Sequence, residues 1–282
     1  MEKDEMKGYR ALNDEEIKME LTKMLSDVDE FMTENNYHYT ITAGTLLGAV
    51  RHEGFIPWDD DIDIAMLRPE YEMLLEQLKK NPNINEYLIA DGFEIGKGDF
   101  PYIKILNRRI PTEEYISPYC NLKGYLWIDV FPFDGAPDTQ IDDYYTNLKN
   151  LESKYYLTRI YKRKWLMKDP KEITFISKLK SHLKYGFVNY DSLIKEFIDF
   201  SKKYKVDMNK KVANNIWGVG YQEAFPAEYM NEFVDYKFEN IKVKGIKEAD
   251  KWLTTRYGDY MKLPPVEERV NHGLKAWKAI EK

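Results

Sequence analysis

A single cysteine, Cys120, stands in 282 residues. It excludes an intrachain disulfide and any zinc site built on cysteine pairs, and a reducing compartment is the simplest setting. Nothing near Cys120 marks it as activated, so it reads as a small packing residue rather than a nucleophile. Long apolar runs are missing as well. No stretch of about 18 apolar residues occurs, which excludes a spanning helix. The opening MEKDEMKGYRALNDEE is charged from its second position and has no apolar h-region, so no secretory signal is expected there. Excess positive charge is also absent. A formal net charge of −6 argues against a general nucleic-acid coat, and no nucleic-acid partner is expected. These absences together lead to an expected cytoplasmic location, with peripheral contact at the inner face of the membrane left open.

What is present is a globular composition, 43% hydrophobic and 15% aromatic, in a chain long enough for one large or two smaller domains. Residues 13–34 carry Ile17, Leu21, Met24, Leu25, Val28, Phe31 and Met32 at helical spacing, behind an Asn13–Glu16 capping box. Tyr37–Thr42 reads as a short strand. Ala43–Arg51 reads as a glycine turn running into a helix that begins at Thr45. Gly54–Met66 supplies a second strand, and Pro69 opens a helix that closes at Lys79-Lys80. Further strands are expected at Tyr87–Ala90, Tyr102–Leu106 and Tyr125–Phe131. Pro132, Gly135 and Pro137 then mark a boundary. The expected organisation is a catalytic core over 1–137 and a mainly helical part over 138–282 packed on it, with a helix at Ala249–Tyr257 stopped by Gly258.

The densest chemistry lies in GFIPWDDDIDIAM, where Asp59, Asp60, Asp61 and Asp63 fall within five residues. Like charges this close repel, and burying them requires positive compensation. In a strand, Asp59, Asp61 and Asp63 share one face and Asp60, Ile62 and Ile64 the other. Carboxylates two apart, about 6–7 Å along a strand, can share a divalent cation. One alternative is a solvated acidic turn, but the flanking Phe55-Ile56-Pro57-Trp58 and Ile64-Ala65-Met66 look like core. A second alternative is an EF-hand loop, since Asp59, Asp61, Asp63 and Glu70 fit its spacing. That loop needs glycine where this chain has Ile64, and Pro69 precedes the closing acid, so it is discarded.

Two further features support chemistry. Gly44-Thr45 at a helix start leaves free backbone N–H groups and a positive dipole end, which suit a phosphate. It is not a Walker A loop, because no Gly-Lys-Thr or Gly-Lys-Ser follows. Asp129, inside Leu126-Trp-Ile-Asp-Val-Phe-Pro132, must be paired, protonated or metal-bound. An anion cradle beside an acidic cation site is what magnesium-assisted phosphoryl transfer requires, with Mg²⁺ or Mn²⁺ as the expected ion. A structural role for Asp129, accepting backbone or arginine hydrogen bonds, stays open.

The stretch AGTLLGAVRHEGFIPWDDDIDIAM resembles the signature of the LicD family, bacterial phosphocholine transferases related to the catalytic domain of fukutin-related proteins. WIDVFPFDG and YGDYMKLPPVEER resemble later landmarks, so the similarity covers roughly residues 15 to 275. It implies an α/β (α+β) nucleotidyltransferase-like mixed sheet flanked by helices, with Gly44-Thr45, Asp61, Asp63 and Asp129 as site residues and the three acids as metal ligands. It also implies transfer of phosphocholine from CDP-choline to a sugar hydroxyl of a teichoic acid, lipopolysaccharide or similar glycan precursor, with a polyprenyl-linked acceptor expected. Other alditol phosphates from CDP donors are an alternative within the family. Nucleotidyl transfer from an NTP, and a non-catalytic choline- or glycan-binding module, are the readings from other classes.

Arg51 and Lys104 are candidate phosphate contacts, and Arg269 and His272 weaker site candidates. Asp59 or Asp60 either supports the metal ligands or caps the turn. A quaternary ammonium binds π faces, and Trp58, Trp127, Trp217 and Tyr221 are the rings considered for it. Between Lys154 and Lys184, ten Lys/Arg face only Asp169 and Glu172, with aromatics interleaved. That stretch is either a solvated helical face or a patch for an anionic membrane surface.

Overall fold

The computed structural model describes residues 8–117, 120–164, 182–217, 220–269 and 273–280. In chain order its elements are β1 (Tyr9–Ala11), α1 (Asp14–Glu34), β2 (Thr40–Ile41), α2 (Ala43–His52), β3 (Asp63–Leu67) and α3 (Arg68–Lys80). Then come β4 (Leu88–Asp91), β5 (Ile103–Ser117), β6 (Cys120–Gly135), α4 (Ile141–Lys164) and α5 (Tyr190–Ser201). The remainder holds β7 (Lys211–Ala213), β8 (Phe225–Pro226), β9 (Phe233–Phe238), β10 (Ile241–Ile246), α6 (Ala249–Tyr257) and β11 (Lys275–Ala279).

Local chemistry accounts for the main helices. At the start of α1 the Asn13 side chain accepts from the Glu16 N–H (2.9 Å) while Glu16 accepts from the Asn13 N–H (3.0 Å). Its inward stripe of Ile17, Leu21, Met24, Leu25, Val28 and Met32 is buried. Pro69 sits in the first turn of α3 and Lys79-Lys80 in its last. Gly258 ends α6 in the left-handed region at φ +66°.

The sheet is mixed and runs β1-β11-β5-β6-β3-β2, with β4 also on β5 and the short β7–β8 pair hanging from β6. β9 and β10 form a separate hairpin. β3 lies parallel to β6, and its other neighbours are antiparallel. One hydrophobic core extends from Ile17 to Ala276, so β11 near the far end of the chain completes the sheet begun by the first half.

Register decides where the charges fall. β3 sets Asp63 opposite Asp129, β5 sets Lys104 opposite Asp129, and β4 sets Asp91 opposite Lys104. Lateral neighbours in a sheet share a face, so these residues form one charged row across it. One residue along, Ile64, Val130 and Ile103 form an apolar row on the opposite face, where the Tyr71 hydroxyl of α3 accepts from the Ile103 N–H (2.9 Å). A sheet that is apolar on one face and charged at the matching positions of the other presents the acids away from the core.

Candidate active site

The strand expected across Gly54–Met66 begins only at Asp63. A turn in which the Asp59 N–H donates to the Ile56 carbonyl (2.9 Å) holds the acids before it out of regular pairing. Pairing resumes as the Asp129 N–H donates to Ile62 O (3.0 Å). Asp60 Oδ2 accepts from the Leu274 N–H (3.3 Å), tying this turn to the approach of β11.

The helix expected from Thr45 begins at Ala43, so Gly44 and Thr45 lie in its first turn. Ala43 itself is in the left-handed region, φ +47°, which costs a residue with a Cβ about 1 kcal/mol or more. This strained start clamps Asp63. The Thr45 hydroxyl accepts from the Asp63 N–H (2.9 Å), and the Thr42 N–H donates to the Asp63 carbonyl (3.0 Å). Thr45 is buried as a result. Gly44 admits another acid, because a Cβ there would stand 2.6 Å from Asp59 Oδ2. The anion against this positive helix end is thus the chain's own Asp59.

Asp129 is buried, and the equally buried Lys104 places Nζ 2.7 Å from its Oδ1. At that distance the ammonium and the carboxylate form a charge-assisted pair. Lys104 also lies 4.3 Å from the ring centre of Trp127, 4.4 Å from Phe100 and 5.7 Å from Tyr102. Burial, followed by the charges of Asp61, Asp129 and Asp59, drives Asp63 well above the usual carboxylate range, and Lys104 only partly offsets it. Burial raises Asp129 too, against the pull of Lys104. Lys104 alone therefore does not offset the burial and mutual repulsion of these acids. Among the described residues, however, no three His, Cys, Asp or Glu side chains converge as a metal cage.

A positive flank lies on the other side of the acidic turn. Arg51 donates from Nη1 to the Tyr260 carbonyl (2.6 Å) and from Nε to His52 Nε2 (2.9 Å). Arg269 donates to the Pro264 carbonyl (3.0 Å) and lies 5.0 Å over the Trp58 ring. Burial lowers Arg51 below its ordinary range, and the charge of Arg269 adds to this. Neither guanidinium has a carboxylate partner among the described residues. Two such cations in each other's field suit an anion. His272 lies outside the described residues, as do the side chain of Cys120 and residues 165–181 of the basic stretch. In its described part, Tyr155, Thr158, Arg159 and Tyr161 are buried while Lys154 and Lys162 are exposed.

The ring candidates separate. Trp58 sits under Arg269 and Trp127 under Lys104; Tyr221 faces Lys211 at 5.0 Å and Tyr145 at 6.0 Å. Trp217 is 38% exposed beside Tyr102 and Tyr156. Sequence reasoning missed Tyr102, which lies in the fields of Asp129, Arg159 and Asp63. It also missed the Arg159–Asp99 pair (3.1 Å) under Phe100, and a buried Arg68–Asp134 pair joined by two hydrogen bonds of 2.7 Å. Asp134 carried the same signal as Asp129, an acid in an apolar strand.

Among the described residues no helix is long and apolar enough to cross a membrane. Residues 36–165 match the family model for LicD/FKTN/FKRP, nucleotidyltransferase domain. The chain is 30% identical over 240 residues to the lipopolysaccharide cholinephosphotransferase LicD of Haemophilus influenzae, covering 84% of this chain and 86% of that protein. It is 40% identical over 149 residues to the uncharacterized protein RT0683 of Rickettsia typhi, covering 46% of this chain and 47% of that one. The match to the Haemophilus protein runs through the acidic turn and most of both chains, and on that ground this chain belongs to the LicD family.

Proposed function

We propose that this protein transfers phosphocholine from CDP-choline to a sugar hydroxyl of a surface-glycan precursor of lipopolysaccharide or teichoic-acid type, releasing CMP. The observation that carries the reading is the Asp63–Asp129–Lys104 row beside Asp61, with Arg51 and Arg269, which have no carboxylate partner among the described residues, nearby. The relative named for lipopolysaccharide cholinephosphotransferase activity supports the cargo and the acceptor class.

The residues present fit a divalent cation by their chemistry: oxygen donors only, and repulsion among the carboxylates around Asp63 that Lys104 only partly offsets. Asp61, Asp63 and Asp129 would hold Mg²⁺ or Mn²⁺, which would supply positive charge against the donor's phosphate oxygens. The protein's own groups do the rest. Arg51 and Arg269 bind phosphate oxygens at the nucleotide end, and Lys104 adds charge beside Asp129. Gly44 and Thr45 serve the phosphates by fixing Asp59 and Asp63 beneath them. Asp129 takes the proton of the attacking hydroxyl as the new P–O bond forms on the choline-bearing phosphorus and the bond to CMP breaks. The basic 154–184 stretch holds the enzyme beside a polyprenyl-linked acceptor at an anionic membrane surface.

The test is to incubate the protein with Mg²⁺, a glycan acceptor fraction and CDP-choline, CDP-glycerol or CDP-ribitol separately, beside an Asp61→Asn control. CMP from CDP-choline, lost in the control, is the expected result. CMP from another donor alone overturns the cargo, and pyrophosphate from an NTP in place of CMP overturns the reaction. Co-sedimentation with vesicles containing anionic lipid, and not with neutral ones, is expected for the membrane contact; indifference to lipid charge would end that part of the reading.

A further inference from the structure

We propose that Trp217, walled by Tyr102 and Tyr156, is the receptor for the donor's quaternary ammonium and so sets the enzyme's choice of CDP-alcohol. This rests on the reading of the protein as a CDP-dependent transferase and adds the residue that selects the cargo.

The argument starts from where cations already lie. Trp58 has Arg269 at 5.0 Å, Tyr221 has Lys211 at 5.0 Å, and Trp127 has Lys104 at 4.3 Å. Each of these rings has a face committed to the protein's own charge. Trp217 has none over it among the described residues, and it is 38% exposed where Tyr102 is buried and Tyr156 half-buried. The Tyr102 and Trp217 ring centres are 6.1 Å apart at 63°, and those of Tyr156 and Trp217 6.3 Å apart at 56°. Inclined rings at that spacing make a corner in which one cation can lie within about 6 Å of two centres.

Position and charge agree with this. Tyr102 joins the corner to the acids, since its ring lies 5.7 Å from Lys104 Nζ, which in turn touches Asp129. A cation in this corner gains from the ring faces, whereas an uncharged polyol does not. Arg159 is also within reach of Tyr102, but its charge is paired with Asp99 at 3.1 Å. The Arg51–Arg269 flank offers the opposite environment, suited to the nucleotide's phosphate. The donor then lies across the acids with its CMP end at the arginines and its ammonium at Trp217.

Trp217 is also held firmly. The Asn214 side-chain oxygen accepts from the Ile216 N–H (3.1 Å) and the Trp217 N–H (2.9 Å). Asn215 donates to the Gly135 and Ser201 carbonyls, both at 3.2 Å. Pre-organisation of this kind avoids the entropy of ordering a loop when the ligand arrives.

The experiment measures steady-state kinetics with CDP-choline for the full chain, Trp217→Ala and Trp217→Phe, together with calorimetric binding of CDP-choline and of CMP. Trp217→Ala is expected to raise KM for CDP-choline about 10-fold, at the middle of the cation–π range, with kcat within about twofold. CDP-choline binding falls in step, CMP binding does not change, and Trp217→Phe recovers most of the loss. An unchanged KM in Trp217→Ala overturns the proposal while leaving the transferase reading intact. An equal loss for CMP and CDP-choline overturns it as well, because Trp217 then serves the nucleotide or the fold. A wild-type protein that neither binds nor turns over CDP-choline overturns both readings.

Discussion

Replacing Lys104 by methionine isolates the balance of charge at the centre of the site. Methionine keeps the length and apolar character of the stem and still packs well against Phe100, Tyr102 and Trp127, so little packing is lost. What goes is the cation 2.7 Å from Asp129, with both partners at most 10% exposed at the side chain. Removing one member of a buried ion pair typically costs about 3–5 kcal/mol, because the other charge is left uncompensated. Asp129 would then face Asp63 and Asp61 with nothing positive beside it. For a chain of 282 residues that corresponds to a fall of roughly 5–8 °C in Tm. The assay is thermal unfolding at pH 7.5 in EDTA. Lys104→Met/Asp129→Asn should recover most of the loss, since it removes both charges, and Mg²⁺ should narrow the gap for the single variant. A single variant that melts within about 2 °C of the parent would refute the reasoning that Lys104 is the acids' counter-charge.

Gly48→Ala should destabilise by about 1–3 kcal/mol, although alanine is the better helix former, because the new Cβ would fall inside contact distance of the Gly54 carbonyl. Urea unfolding checks the sign, and a stabilised variant would contradict the packing. In the metal-free protein, Asp63 and Asp129 have folded pKa values above their unfolded ones, so folding takes up protons between the usual carboxylate range and the raised values. Stability should therefore rise as pH falls from above the raised values toward the carboxylate range and be lost again as pH rises; Asp63→Asn should flatten a Tm-versus-pH profile that would disprove the point if already flat. Asp134→Ala should cost about 3–5 kcal/mol by stranding buried Arg68, yet leave kcat of the folded fraction near that of the parent, because Asp134 lies on the other face of β6 from Asp129.

That last contrast shows what the sequence could and could not reveal. Asp129 and Asp134 both stand out as acids within an apolar strand, and their spacing puts them on opposite faces. Nothing local says that Arg68, 66 positions from Asp134, is waiting on one of those faces. Helix boundaries were legible where caps are local: Asn13 with Glu16, Pro69, and Gly258. The start of α2 was not, because Ala43 adopts a positive-φ conformation that local propensity does not favour, beside the contacts of Thr42 and Thr45 with Asp63. The acidic turn was recognisable from composition, but four carboxylates within five residues do not reveal that the strand starts only at the last of them. The four candidate rings could not be ranked in sequence, since what distinguishes them is whether a lysine or arginine far along the chain already lies on each.

The most direct test of the central claim is made on the acceptor. Mass spectrometry of the glycan fraction after incubation with CDP-choline and Mg²⁺ should show phosphocholine added by the wild-type protein and none added by Asp129→Asn, whose circular dichroism should match the parent. Phosphocholine transfer by Asp129→Asn at the wild-type rate, or CMP release with an unmodified acceptor, would contradict the account.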